Sequence, residues 1–235
     1  MNSQKEAIIL AGGLGTRLRS VVTEIPKVLA PVAGRPFLSW LLDGLARQEM
    51  SHVVLATGYM SAAVEAAIQR SHAGMMITYS PETEPLGTGG AIWAAMAHCR
   101  AEYVVVINGD SWIGTPLASL RARAAAGADI VMTVRPVADR ARYGSVRVAA
   151  ERLLGLDEKG PTGPGLVNGG LYVMRRDLVQ RRPMPGSFSF ERDVLAEPGD
   201  LDIVAYRSDA EFIDIGTPDD FHAAQSLLPR WAAAW

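Results

Sequence analysis

Residues 9–27 read ILAGGLGTRLRSVVTEIPK. The stretch continues an apolar run, Ala7–Leu10, without polar alternation, the pattern of a strand buried on both faces of a parallel sheet. Gly12, Gly13 and Gly15 follow within four positions, then Thr16 and Arg17, and ten residues later Lys27 behind Pro26. In an open α/β sheet the loop at the carboxyl end of a strand is where ligands bind. Glycines let such a loop turn sharply and approach a ligand closely, and their amides bind phosphate oxygens. Arg17 adds a planar fork of charge and Lys27 a compact one, both suited to a polyphosphate. Two common phosphate loops are excluded by spacing. A Walker A loop needs its lysine directly after the last glycine, and Lys27 is too distant. The dinucleotide fingerprint needs a third glycine where Leu18 stands, which disfavours a nicotinamide oxidoreductase.

Further apolar runs predict strands at Val53–Thr57, Met76–Tyr79, Tyr103–Ile107, Ile130–Val134, Gly170–Met174 and Phe212–Asp214. Between them, helical spacing and alanine-rich stretches predict helices over Pro36–Gln48, Ser61–Ser71, Gly89–Cys99 and Leu117–Ala126. Alternating strand and helix implies an α/β fold with a Rossmann-like, doubly wound, mainly parallel sheet. After Pro136 the pattern changes to two short strands, Tyr143–Val148 and Arg152–Leu156, and a glycine- and proline-rich loop at 159–165. The expected organisation is one domain, with a core of about 1–135 and 205–235 and a small mixed β lobe of about 136–204. The last fifteen residues predict a helix broken near Pro229, with Trp231 and Trp235 packing on the body or on a second subunit, so that a homodimer is open.

The chain of 235 residues is 49% hydrophobic and 20% charged, with net charge −2 and no long basic block, which argues against a nucleic-acid partner. The apolar run near residue 7 is too short for a secretory leader, and nothing approaches the roughly 20 apolar residues of a membrane span. The one cysteine, Cys99, excludes an internal disulfide and fits a reducing, cytoplasmic setting. His52, His72, His98 and His222 have no metal-ligand spacing, and no Gly-x-Ser-x-Gly elbow is present. Two carboxylates stand at strand tips: Asp110 follows Tyr103–Ile107 through Asn108-Gly109, and Asp214 ends Phe212–Asp214. If they converge they form a hard-oxygen site for Mg2+, which takes one or two carboxylates plus substrate phosphates. Asp219 and Asp220, behind Thr217-Pro218, read as first-turn helix acids.

The opening signature resembles that of the sugar-phosphate nucleotidyltransferases. The resemblance continues through EPLGTGGA (84–91), VVINGD (105–110), RYGSV (142–146), DEKG (157–160), NGGLYV (168–173), FSFERDVL (188–195) and FIDIGTPDDF (212–221), nearly the whole chain. Within the family the likeness is greatest to enzymes that guanylylate D-glycero-α-D-manno-heptose 1-phosphate. Mannose 1-phosphate guanylyltransferases and uridylyltransferases come next. Many relatives carry a C-terminal β-helix, and this chain ends too early for one.

The resemblance implies a GT-A-like fold and transfer of a nucleotidyl group, GMP from GTP above all, to a sugar 1-phosphate with release of pyrophosphate, toward a bacterial capsule or other surface polysaccharide. It places Leu10, Ala11, Gly12, Gly13, Gly15, Thr16, Pro85, Gly87 and Thr88 on the nucleotide, and Asp110 and Asp214 on the metal. Arg17 would stabilise the leaving pyrophosphate and Lys27 would contact the α-phosphate and the incoming phosphate. Glu82 stands about where relatives meet the base. A carboxylate there accepts from both N1–H and the exocyclic amine of guanine, whereas uracil has one donor to offer. Tyr143, Gly144, Glu158, Lys159, Asn168, Gly169 and Glu191 would line the sugar side, Lys159 binding its phosphate. Gly160 departs from the proline usual after that lysine. Retention of Arg17, Lys27, Asp110 and Asp214 argues against a non-catalytic nucleotide-sugar-binding subunit.

Overall fold

The computed structural model describes residues 4–13, 15, 18, 25–140, 144–157 and 162–233. In chain order the elements are β1 (Glu6–Leu10), β2 (Pro31–Val32), β3 (Arg35–Pro36), α1 (Phe37–Arg47), β4 (His52–Thr57), α2 (Ser61–Ile68), β5 (Ser71–His72), β6 (Met75–Pro81) and α3 (Gly87–Met96). There follow β7 (Tyr103–Asn108), β8 (Ser111–Ile113), α4 (Leu117–Ala125), β9 (Ile130–Val137), β10 (Ser145–Ala149), β11 (Arg152–Asp157) and β12 (Gly165–Arg175). The chain closes with α5 (Leu178–Arg181), β13 (Ile203–Arg207), β14 (Phe212–Asp214) and α6 (Pro218–Ala232).

Ten strands form one sheet in the order β10-β11-β13-β9-β12-β7-β1-β4-β6-β5. The expected parallel block is β7-β1-β4-β6, with one further parallel pair in β9–β13. Beyond it the sheet is mixed. β12 runs antiparallel to both β7 and β9, and β10 and β11 pair antiparallel at one edge. The strands of the 136–204 segment are thus hydrogen-bonded into the same sheet as the rest of the chain.

Successive residues of the apolar strands feed two separate cores. Ala7, Ile9, Val53, Leu55, Val105 and Ile107 join Leu38, Leu41, Leu42 and Leu45 of α1 on one face. Ile8, Val54, Val104 and Val106 join Ile92 and Ala95 of α3, with Phe190 and Val194, on the other. A strand buried on both faces has no polar side, so its apolar residues run without interruption, and each such side chain contributes roughly 1.5–3 kcal/mol. Among the described residues no helix is long and apolar enough to cross a membrane.

Three expectations change. β13 was not anticipated, yet it lies inside the sheet beside β9, in register from Ile203↔Ile130 to Arg207↔Val134. α2 stops at Ile68, because Gln69 takes φ 61° and leaves the helical region. α6 does not break near Pro229 but continues through it to Ala232. The missing N–H and ring of a helix-interior proline cost roughly 3 kcal/mol. Packing beyond the proline offsets this: Trp231 stacks on Trp112 with centroids 5.9 Å apart, and Arg47 donates to the Ala232 carbonyl at 2.6 Å. Trp231 therefore packs on the body of its own chain, while Trp235, like residue 143 of the predicted Tyr143–Val148 strand, lies outside the described residues.

The amino-terminal end of the sheet is clamped by one buried acid. Glu6 is 1% exposed and accepts from the amides of Arg100 at 2.5 Å and Ala101 at 2.6 Å, while its other oxygen meets His52 Nδ1 at 2.9 Å. His52 Nε2 lies 2.9 Å from Thr78 Oγ1, so β1, β4, β6 and the entry to β7 share one network. Burial opposes the charge, but the Ala101 amide, His52 and the Arg100 amide together hold the carboxyl below its ordinary value of 4.5. With a depressed native value, the stabilisation is full above pH 4.5 and is lost as the pH falls through the native value. Glu6→Gln is expected to lower the unfolding free energy by about 2 kcal/mol at neutral pH. Urea titrations should show that deficit shrinking as the pH drops below 4.5.

Candidate active site

The carboxyl end of β1 is bound on both sides. Ala11 N–H donates to the Ala56 carbonyl at 2.7 Å, and Gly109 N–H donates to the Leu10 carbonyl at 3.0 Å. The second contact requires glycine, since a Cβ at position 109 would stand 2.3 Å from the Leu10 oxygen. Gly12 packs on Gly58 and on Glu82, whose Oε1 lies 3.3 Å from where a Cβ of residue 12 would be. Gly13 faces a small cleft of about 160 Å³ that also touches Leu10, Lys27, Thr88, Asn108 and Asp110. Gly15 adopts φ 58° and backs onto the Lys27 stem. Thr16 and Arg17 lie outside the described residues.

Lys27 leads a short 3-10 turn, Lys27–Leu29, behind Pro26. Its side chain is only 10% exposed, and Nζ donates to Asp110 Oδ2 at 2.5 Å with Asp214 Oδ1 at 3.7 Å. Asp110 follows β7. Asp214 arrives from a position 104 residues later because β14 pairs antiparallel with β8, setting Asp214 opposite Ser111. Backbone donors hold the geometry: Gly216 N–H bonds Asp214 Oδ1 at 2.6 Å and Ile215 N–H bonds the Asp110 carbonyl at 2.9 Å. Ser111 Oγ reaches Asp110 Oδ1 at 3.2 Å. The two carboxylates thus converge on a common cation, here the ammonium. This donor set fits Mg2+, whose sites commonly combine one or two carboxylates with phosphates and water. Among the described residues no group of three or more His, Cys, Asp or Glu forms a metal cage, so substrate phosphates and water would complete the shell.

Beside this centre lies a larger cleft of about 600 Å³, whose walls include Asn108, Gly144, Asn168, Glu191, Asp214 and Asp220. Asn168 sits where β12 bulges against β9; its Nδ2 donates to Tyr172 Oη at 2.6 Å, and its Oδ1 accepts from Gly170 N–H at 3.0 Å. Burial pushes the Tyr172 phenol well above its ordinary value, so it stays neutral. Gly169 packs on Thr133 and Ile113, and it is Gly170 that faces the cleft. Glu191 heads a π-helical turn, Glu191–Leu195. Tyr143, Glu158 and Lys159 lie outside the described residues.

Thr88, at the start of α3, does not cap it. α3 starts at Gly87 without a side-chain cap, and the Thr88 hydroxyl donates instead to Glu191 Oε2 at 2.6 Å while accepting from Phe190 N–H at 2.9 Å. Gly87, at φ 69°, and Gly89 admit the Phe188 backbone and ring against this turn. Glu82 Oε2 accepts from Leu86 N–H at 3.0 Å, fixing the loop that carries the exposed Pro85. Thr217 does cap α6, accepting from Asp220 N–H at 3.3 Å, so Asp220 serves the helix start as expected and also borders the large cleft. Cys99 takes no part: burial, with Glu6 nearby, pushes its thiol up to about 12.

Residues 6–230 match the family described as nucleotidyl transferase. The chain belongs to that family. This nucleotidyl transferase is 40% identical, over 96% of its length and 99% of the relative's, to a D-glycero-alpha-D-manno-heptose 1-phosphate guanylyltransferase of Aneurinibacillus thermoaerophilus. It is 36% identical, over 98% of its length and 66% of the relative's, to a mannose-1-phosphate guanylyltransferase of Mycobacterium tuberculosis. Its fold is similar to that of HddC from Yersinia pseudotuberculosis complexed with GMP-PN, with TM-score 0.84 and 32% identity over 94% of this chain and 98% of that one. For a nucleotidyl transferase so built, Asp110→Asn should lower turnover by on the order of 10²–10³-fold, because a carboxylate placed to hold a phosphate-neutralising cation is lost. The thermal unfolding midpoint should stay within a few degrees, since Asp110 is part-exposed. Single-turnover rates and a melting curve on the same preparation check both statements.

Proposed function

We propose that this nucleotidyl transferase moves GMP from GTP to a manno-configured sugar 1-phosphate, D-glycero-α-D-manno-heptose 1-phosphate first, giving GDP-heptose and pyrophosphate in the cytoplasm for a bacterial capsule or surface polysaccharide. The observation that carries the reading is the convergence of Asp110 and Asp214 on Lys27, between a glycine loop and a polar cleft of sugar size. The full-length likeness to the heptose 1-phosphate guanylyltransferase supports the choice of substrates. The likeness to a mannose 1-phosphate guanylyltransferase supports the hexose as a second reading.

A phosphate oxygen of the sugar 1-phosphate attacks the α-phosphorus of GTP. The new P–O bond forms as the bond to the β-phosphate bridge breaks, and pyrophosphate leaves with that electron pair. The nucleophile is already an anion near neutral pH, so no general base is required, and the protein's task is alignment and neutralisation. Lys27 holds a positive charge at the α-phosphate and the incoming phosphate. Asp110 and Asp214 would hold Mg2+, which when bound neutralises phosphate charge. Arg17 would meet the leaving pyrophosphate and Lys159 the sugar phosphate. Glu82, beside Gly12 and Gly58 at the tips of β1 and β4, keeps lone pairs for the two donors of guanine.

The test is pyrophosphate release with Mg2+ from GTP, ATP, CTP, UTP and dTTP, each crossed with heptose, mannose, glucose and N-acetylmuramic acid 1-phosphates. Release confined to GTP with the two manno-configured phosphates is expected, and EDTA should abolish it. Release with UTP or dTTP in place of GTP would overturn the guanylyl assignment and the role of Glu82.

A further inference from the structure

Asn108 ends β7, two residues before Asp110, and it borders both clefts: the small one with Gly13, Lys27 and Asp110, and the large one with Asn168 and Glu191. Its Oδ1 is buried and finds no hydrogen-bond partner among the described residues. The amide is held from behind by Gly170, where φ is 70° and a Cβ would stand 2.9 Å from Asn108 Nδ2. The nitrogen thus faces β12. A buried carbonyl oxygen without a donor is costly, and a native site that leaves one open is commonly completed by a ligand.

The chemistry of Oδ1 restricts what that ligand group is. A carbonyl oxygen accepts only, so ionised phosphate oxygens, which also only accept, are excluded. The partner is an N–H or O–H that reaches the boundary between the phosphate centre and the sugar cleft. On a sugar 1-phosphate the carbon next to the phosphate-bearing one is C2. Its hydroxyl is therefore the donor nearest the phosphate held at Asp110. The ribose 3′- and 2′-hydroxyls of the nucleotide lie one and two carbons further from the α-phosphate than that hydroxyl does from its own phosphate.

Resting on the function proposed above, we infer that Asn108 is a specificity-determining residue whose side-chain oxygen accepts a hydrogen bond from the 2-hydroxyl of the sugar 1-phosphate. Asn168 and Glu191 are left to read hydroxyls deeper in the large cleft. A substrate lacking the 2-hydroxyl returns Oδ1 to its unpartnered state, which is how polar sites reject such analogues.

The test compares α-mannose 1-phosphate with 2-deoxy-α-D-glucose 1-phosphate, which is the same molecule without the 2-hydroxyl, in the wild type and in Asn108→Leu, a side chain of similar shape with no acceptor. In the wild type kcat/KM should favour mannose 1-phosphate by on the order of 10–100-fold. In the variant that ratio should collapse to within a few-fold, with the KM for GTP nearly unchanged. If the leucine variant does not fold, Asn108→Ala gives the same comparison. A retained ratio, or a rise in the GTP KM as the main effect, overturns the role of Asn108 while leaving the function standing. A wild type that is active but indifferent to the 2-hydroxyl, or that turns over neither sugar phosphate with GTP, overturns this inference together with the substrate reading beneath it.

Discussion

The ammonium of Lys27 between Asp110 and Asp214 is the constraint on which the site depends. Two carboxylates drawn together at the edge of a cleft repel, and taking them from water adds a further cost. A largely buried cation with one oxygen at 2.5 Å and the other at 3.7 Å offsets both, and it joins three distant parts of the chain. The rest of the molecule can be understood as what makes this meeting possible. β7 carries Asp110 out of the sheet, the β8–β14 ladder returns Asp214 to it, and Gly15 lets the Lys27 stem lie against the first loop.

The parallel half of the sheet is also anchored at its far end. Glu6, His52 and Thr78 tie β1, β4 and β6 together at the end opposite the loops, and the two amides at Arg100 and Ala101 bring in the approach to β7. With their starting ends fixed and both faces buried, the strands deliver Gly12, Gly58, Glu82 and Asp110 to one rim. Position at that rim follows from strand length and register, which leaves little for the loops to decide.

Much of this was legible in the residues. Runs such as Ala7–Leu10 and Tyr103–Ile107 have no polar face to expose, so they read as strands of a covered sheet, and Asp110 and Asp214 stood out because each stands at the tip of such a run. β13 was missed because Ile203–Arg207 includes Ala205 and Tyr206 and ends in arginine, giving a short and impure pattern. Its place is set by pairing with β9, a contact 73 residues away that local composition does not announce. The continuity of α6 through Pro229 is likewise a tertiary effect, resting on the Trp112–Trp231 stack. On the sugar side, Asn168 was legible as a site residue, but not the fact that its amide is already engaged by Tyr172 and Gly170, since that depends on the bulge in β12. Asn108 lay inside the quoted VVINGD without being singled out, for an asparagine before Gly-Asp reads equally well as a turn residue.

The hydroxyl of Thr88 links the two halves of the site. It stands at the start of α3, beside the small cleft, and its proton is given to Glu191, which belongs to the large one. A hydroxyl has one proton to donate. An acceptor that took it on the α3 side would withdraw it from the carboxylate and leave Glu191 a lone pair free for another donor. The small and large clefts are thereby coupled through a single rotatable O–H bond.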